Sequence, residues 1–203
     1  VIGDIVLSAA SQQYGGFTVP SVDEVIAPYV EKNFLDYMDE YIDIVKTTGE
    51  VNVDSMPETL AILAKYHSML NEEHPKEFDM GKELLKDTDS RIITSAQEYA
   101  LKKVTKDLEQ LFQELEYKFN SLSSSRGDYP FIAFTLGHGK KQFEQLTSIM
   151  CLDVRRKGQG KKGKKRPVLF PKLIFLYDEE LHGEGKPLEH VFQASIDCSS
   201  KTM

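Results

Sequence analysis

Tryptophan is absent from the 203 residues, and there are only two cysteines, Cys151 and Cys198. Two cysteines supply neither a disulfide framework nor metal-ligand spacing, so a reducing, cytoplasmic setting is the simpler expectation. No apolar run approaches the roughly 20 residues that span a bilayer, and no signal peptide opens the sequence, so no membrane partner is expected. Apolar residues make up 40% and charged residues 28%, with 11 Phe and 9 Tyr, which excludes a disordered or collagen-like chain. A chain of this length buries roughly 70% of its unfolded surface, enough for one sizeable domain. Both ends read as cut. Val1, Ile2, Ile5, Val6, Ala9 and Ala10 have helical spacing from the first position, and the stretch from Cys198 to Met203 has neither helix stop nor polar tail. The expectation is a piece of a larger protein.

Charge is unevenly spread. The net charge is −7, yet residues 155–166 hold eight of the 25 basic residues and no acid, leaving 17 basic against 32 acidic residues, or −15, elsewhere. An acidic body with one basic loop argues against a general nucleic-acid binder, which shows a broad basic face. The loop can hold a small polyanion such as a nucleoside triphosphate. The alternative is a solvated loop kept open by Gly158, Gly160 and Gly163.

Helical spacing and caps predict four helices. Ser21-Val-Asp-Glu24 reads as a capping box opening a helix to Lys46 through Val22, Val25, Ile26, Tyr29, Val30, Met38, Tyr41, Ile42 and Val45. Pro28 is expected to kink or interrupt it. Ser55-Met-Pro-Glu58 predicts a second helix to Asn71. Residues 91–122 predict a helix of about 45 Å, with Leu101, Val104, Leu108, Leu111 and Leu115 as a coiled-coil-like seam. Its partner is either the Val22 helix or a second copy of the chain. Beyond the turn at 121–127, residues 129–136 and 168–176 predict buried strands, with Pro171 requiring an edge or a bulge. The helix between them, over residues 141–155, makes a strand–helix–strand crossover and hence an α/β fold.

Three groups of residues are candidates for chemistry. Gly137, His138, Gly139 and Lys140 join a strand to a helix, where glycines and a helix N-terminus suit a phosphate; the alternative is a plain tight turn. Ser11, Gln12, Gln13, Tyr14, Gly15 and Gly16 offer uncharged hydrogen-bonding groups suited to a neutral or sugar-like ligand, or ordinary loop closure. Cys198 sits in a polar stretch, whereas Cys151, beside Met150 and Leu152, reads as core.

Five segments, in order, resemble the anaerobic (class III) ribonucleoside-triphosphate reductases: Ser11-Gln-Gln-Tyr-Gly-Gly, Arg126-Gly-Asp-Tyr-Pro-Phe131, the stretch from Phe134 to Gly139, Pro167-Val-Leu-Phe-Pro-Lys172, and Cys198-Ser-Ser-Lys-Thr-Met203. The resemblance implies a helix-rich part of the ten-stranded glycyl-radical-enzyme barrel. Residues 1–203 then form one partial domain, mainly helical over 1–125 and strand–helix–strand over 126–203, ending in the finger loop. It implies that Cys198, at the loop tip, becomes the thiyl radical that takes the 3′ hydrogen of a ribonucleotide, with Ser11, Gln12, Gln13 and Ser199 near the substrate. Gly137, Gly139, Lys140, Lys161 and Lys162 are then expected to meet effector or substrate phosphates, and the long helices a dimer interface. The resemblance further implies a C-terminal glycyl radical made by an iron–sulfur activase using S-adenosylmethionine, a structural zinc, and ATP or deoxynucleotide effectors. No metal is expected within this piece, which is expected to be inactive alone. The competing reading is a non-enzymatic helical module that binds RNA or a nucleotide through residues 155–166.

Overall fold

The structure, a computed structural model, describes residues 2–13, 15–48, 90–121, 131–161 and 163–202. The helix expected from Ser55 to Asn71, together with Tyr14, Lys162 and the residues Arg126, Gly127, Asp128, Tyr129 and Pro130, lies outside them. The elements are α1 (Ile2–Ser11), β1 (Phe17–Val19), α2 (Val22–Thr48), α3 (Ser90–Ser121), β2 (Ile132–Leu136), α4 (Gln142–Lys157), β3 (Lys172–Phe175), α5 (Glu179–His182) and α6 (Glu189–Thr202). Among the described residues, no helix is long and apolar enough to cross a membrane. The chain divides into two compact units, one of Val1–Ile26 with Leu108–Met203 and one of Ala27–Asp107. Strand β1, early in the chain, joins the first of these units by pairing with β2.

In the Ala27–Asp107 unit the two long helices run antiparallel and are joined by polar and aromatic side chains. Tyr37 donates its hydroxyl to Asp107 Oδ2 at 2.6 Å, Tyr99 donates to Glu40, and the Tyr41 and Tyr99 rings lie 5.3 Å apart. The Asp107 carboxylate holds the Tyr37 hydroxyl proton and pushes its pKa up to about 12. The buried stripe of α3 is Ala96, Ala100, Val104, Leu108, Phe112, Leu115 and Phe119, while Leu101 and Leu111 of the expected seam stand at its half-buried flanks. Spacings of four dominate, so the stripe departs from the alternating threes and fours of a heptad. Along α2, Phe34 and Ala27 are buried, whereas Val25 and Tyr29 are exposed. Pro28 does not interrupt α2, which is continuous from Val22 to Thr48. Placed in the second turn, it removes a single ladder bond.

The other unit is built on a parallel sheet in the order β1-β2-β3. The expected strand–helix–strand crossover is present as β2–α4–β3, and β1 is an additional strand. Central β2 buries Ile132, Phe134 and Leu136, with Phe134 edge-on to Phe119. Being covered on both faces, it reads as the continuous apolar run typical of parallel strands. Strand β3 alternates exposed and half-buried positions, as an edge strand does, and Pro171 immediately precedes it. Helices α4 and α6 pack together, burying Ile149, Met150, Val154, Val191 and Ala194. The segment expected to be a finger loop is therefore α6. His190, Val191, Ala194, Ser195 and Cys198 recur at helical spacing and form its buried face, so the backbone satisfies itself as helix.

Candidate functional site

Parallel α/β sheets present ligands with the loops at the carboxyl ends of their strands. Here that end carries the turn after β2, residues 137–141. Gly137 has φ +118°, and a Cβ there would come within 2.8 Å of the Phe175 ring, so only glycine fits. Three other elements hold the turn. From the start of α2, the fully buried Asp23 accepts the Gly137 N–H at 3.0 Å and the Ser148 hydroxyl at 2.8 Å through Oδ2. From α5, His182 bonds the Gly137 carbonyl through Nε2 at 2.8 Å and accepts the Asp178 N–H at Nδ1. Its Nδ1 also stands 3.0 Å from the Asp178 carbonyl, so one ring clamps both the turn after β2 and the start of α5. From α4, Gln145 Nε2 donates to the Lys140 carbonyl at 2.6 Å, while its Oε1 accepts from His190 Nε2 at 2.9 Å. Burial pulls the His190 pKa down. The start of α4 is closed by Glu144, which accepts the Lys141 N–H.

This arrangement changes the reading of the glycine turn. The Gly137 amide already carries a carboxylate, so Asp23 occupies the position a phosphate would take, and its charge would repel one. Gly139 leaves Asp23 Oδ2 3.1 Å from where a Cβ would stand. The side chain of Lys140 is exposed. Asp23 itself, read from the sequence as part of a capping box, acts across 114 and 125 residues, and the Ser21 N–H donates to Thr135 Oγ1. Among the described residues, Asp23 Oδ1, His138 Nε2 and Gln142 Nε2 are buried without a partner, which leaves polar capacity at this end of the sheet.

Beside the turn, at the carboxyl end of β3, lies an open groove of about 570 Å³ lined by Phe175, Tyr177, Phe192, Ser195, Ile196, Ser199 and Ser200. The Tyr177 and Phe192 ring centroids are 4.9 Å apart. Ser199 thus borders a cavity with an aromatic wall and a hydroxyl rim. Cys198 does not line it. Its thiol is buried in the α6 face, and burial pushes its pKa up despite the nearby Arg155 guanidinium. Cys151 is buried deeper in α4, with its thiol also pushed up by burial. Ser11 ends α1 and donates to the Ser8 carbonyl, and Gln12 and Gln13 are exposed. They precede β1, whose first amide bonds the Phe131 carbonyl before β2 begins. Ser11, Gln12 and Gln13 therefore lead into the amino end of the sheet, away from the Gly137 turn and the groove. Lys161 is on a separate hairpin, and Lys162 lies outside the described residues.

The signals that sequence reading missed are Asp23, His182 and the Gln145–His190 pair. Their partners are distant in sequence, and no local pattern marks them.

The family model for the anaerobic ribonucleoside-triphosphate reductases matches residues 1–203. Among curated relatives, the anaerobic ribonucleoside-triphosphate reductase of Enterobacteria phage T4 is 26% identical across all of this chain, which covers 26% of that protein. The Escherichia coli protein of that name is 28% identical and the Salmonella typhimurium one 27%, again across the whole chain, which covers 22% of each. The chain thus spans about a quarter of the length of the curated relatives it matches.

Proposed function

The chain belongs to the anaerobic ribonucleoside-triphosphate reductase family, and from that premise we propose that it is part of the catalytic domain of a larger enzyme that converts ribonucleoside triphosphates to deoxyribonucleoside triphosphates. The observation that carries this reading is the family match over all 203 residues. It is supported by a parallel sheet whose carboxyl end gathers a firmly held turn, unpartnered polar groups and an aromatic groove. In the proposal β1, β2 and β3 are neighbouring strands of a ten-stranded barrel, and the groove rim with Ser199 lies on the substrate side.

The proposed reaction replaces the ribose 2′-hydroxyl by hydrogen after a thiyl radical takes the 3′ hydrogen, with formate or a thiol system supplying the electrons. A glycyl radical, its iron–sulfur activase, ATP or deoxynucleotide effectors and a cytoplasmic homodimer complete the proposal. The structural zinc that the family implies is likewise part of the proposal for the parent protein.

Cys198 is not given the thiyl role. A hydrogen-abstracting sulfur must reach the sugar, and this one is buried on a helix face and does not line the groove. We assign it to packing and place the radical thiol elsewhere in the parent protein. The test is anaerobic turnover: the activated full-length parent should form deoxynucleotides, and the 203-residue chain with the same activase should not. An activated parent that forms none overturns the reading.

A further inference from the structure

The eight basic residues of 155–166 fall into two sets. Arg155, Arg156 and Lys157 close α4 and are paired internally. Arg155 meets Glu116 at 2.7 Å, Arg156 meets Asp153 at 2.6 Å, and Lys157 meets Asp153 at 2.7 Å and Glu109 at 3.3 Å. The remaining described cations stand on a hairpin. Gln159 and Arg166 exchange both backbone hydrogen bonds, at 2.9 and 2.8 Å, and the Lys164 N–H donates to the Lys161 carbonyl at 2.9 Å. Lys161, Lys164, Lys165 and Arg166 are exposed and have no ion-pair partner among the described residues.

The root of this hairpin is fixed. Gly158 has φ +70°, and a Cβ there would come within 2.6 Å of the Arg166 carbonyl oxygen. Gln159 Nε2 donates to Glu116 Oε2 and to the Gln113 carbonyl. A loop that existed only to be solvated would need neither the buried anchor nor the cross-strand bonds. Four like charges on so short a turn also repel one another, a cost that a bound anion relieves.

We propose that this hairpin is a docking finger for a short polyphosphate anion. Lysine ammonium groups suit a phosphate chain because each is a compact charge with three rotatable donors. A nucleic acid fits less well. It would extend past the finger onto a body with 17 basic against 32 acidic residues, which repels an extended polyanion. The site is separate from the Gly137 turn, where Asp23 already supplies the anion. It does not depend on the proposed reductase chemistry.

The test is residue-resolved lysine acetylation of the full-length protein, read by mass spectrometry, so that binding elsewhere does not register. Inorganic tripolyphosphate should slow acetylation of Lys161, Lys164 and Lys165 about fivefold relative to exposed Lys32 and Lys186, and added salt should abolish the difference. ATP with the same effect, and AMP without it, identifies a nucleotide as the source; protection by tripolyphosphate but not by ATP identifies free polyphosphate. A quadruple variant, Lys161→Gln, Lys164→Gln, Lys165→Gln and Arg166→Gln, should leave Tm unchanged because it touches no buried partner. With only Lys164→Gln, Lys165→Gln and Arg166→Gln in place, the slowing at Lys161 should be lost. Equal slowing at all exposed lysines overturns the proposal. So does an RNA oligonucleotide that protects the hairpin at lower phosphate concentration than tripolyphosphate.

Discussion

Replacing Glu116 with alanine should be among the most damaging single changes in this chain, and the reason can be worked from its surroundings. Its side chain and that of Arg155 are 5% and 9% exposed, and their closest atoms are 2.7 Å apart. The second oxygen of Glu116 takes the Gln159 amide, and Arg155 Nη2 donates to the Pro171 carbonyl at 2.6 Å. One ion pair thus joins α3, α4, the hairpin root and the entry to β3. Truncating Glu116 leaves a guanidinium buried with a single carbonyl for compensation, which costs about 3–5 kcal/mol. In a domain of this size that lowers Tm by roughly 10 °C. The paired change Glu116→Met with Arg155→Met removes both charges and keeps most of the volume. What remains is a Pro171 carbonyl without its donor, at about 1–2 kcal/mol. Urea unfolding of the two single methionine variants and the double should therefore show a coupling of at least ~3 kcal/mol. If Glu116→Ala costs under about 1 kcal/mol, or the double variant simply adds the singles, the network is not desolvated as described.

Cys198→Ser in the full-length enzyme should cost about 1–2 kcal/mol of stability by placing a hydroxyl in an apolar interface, with turnover kept within about twofold; lost turnover at unchanged Tm would restore the radical role to this sulfur. Asp23→Asn should lower stability by about 1–3 kcal/mol, since it weakens the bonds from Gly137 and Ser148, and an unchanged Tm would remove Asp23 from the account of the turn. Gly137→Ala should cost at least ~2 kcal/mol through backbone strain and the Phe175 ring, as thermal unfolding can check. His190, whose pKa burial lowers, is neutral in the fold and takes up its proton more readily once unfolded. Stability should therefore be full above its ordinary value of 6.5 and fall as pH drops below it, and His190→Gln should flatten that part of the Tm-versus-pH curve.

Much of the fold was legible because it is local. An apolar run gave β2 and helical spacing gave α3 and α4, while the run at 168–176 gave a shorter β3 without the burial expected of it, beginning only after Pro171. Strand β1 was not legible, because three residues between turn signals carry too little pattern. The width of the α2 stripe was misread for a different reason: Val25 and Tyr29 satisfy the helical period but lie just off the face that other elements cover. The site was less legible still. Asp23 looks like a helix cap until the chain brings Gly137 and Ser148 to it. Cys198 looks like a loop residue among serines, although Val191, Ala194 and Ser195 place it on a buried helical face. The basic run looks like one feature, and only the positions of Glu116, Glu109 and Asp153 reveal that its first three members are neutralised.

The carboxylate of Asp23 is attached to the chain by a single methylene, which makes it exchangeable in principle for a free acid. In an Asp23→Ala protein the Gly137 amide and the Ser148 hydroxyl would still point at the same spot, now sized for a small carboxylate. Formate or acetate in the buffer should then raise the melting temperature of that variant and leave the parent untouched, a form of chemical complementation that needs no catalytic assay.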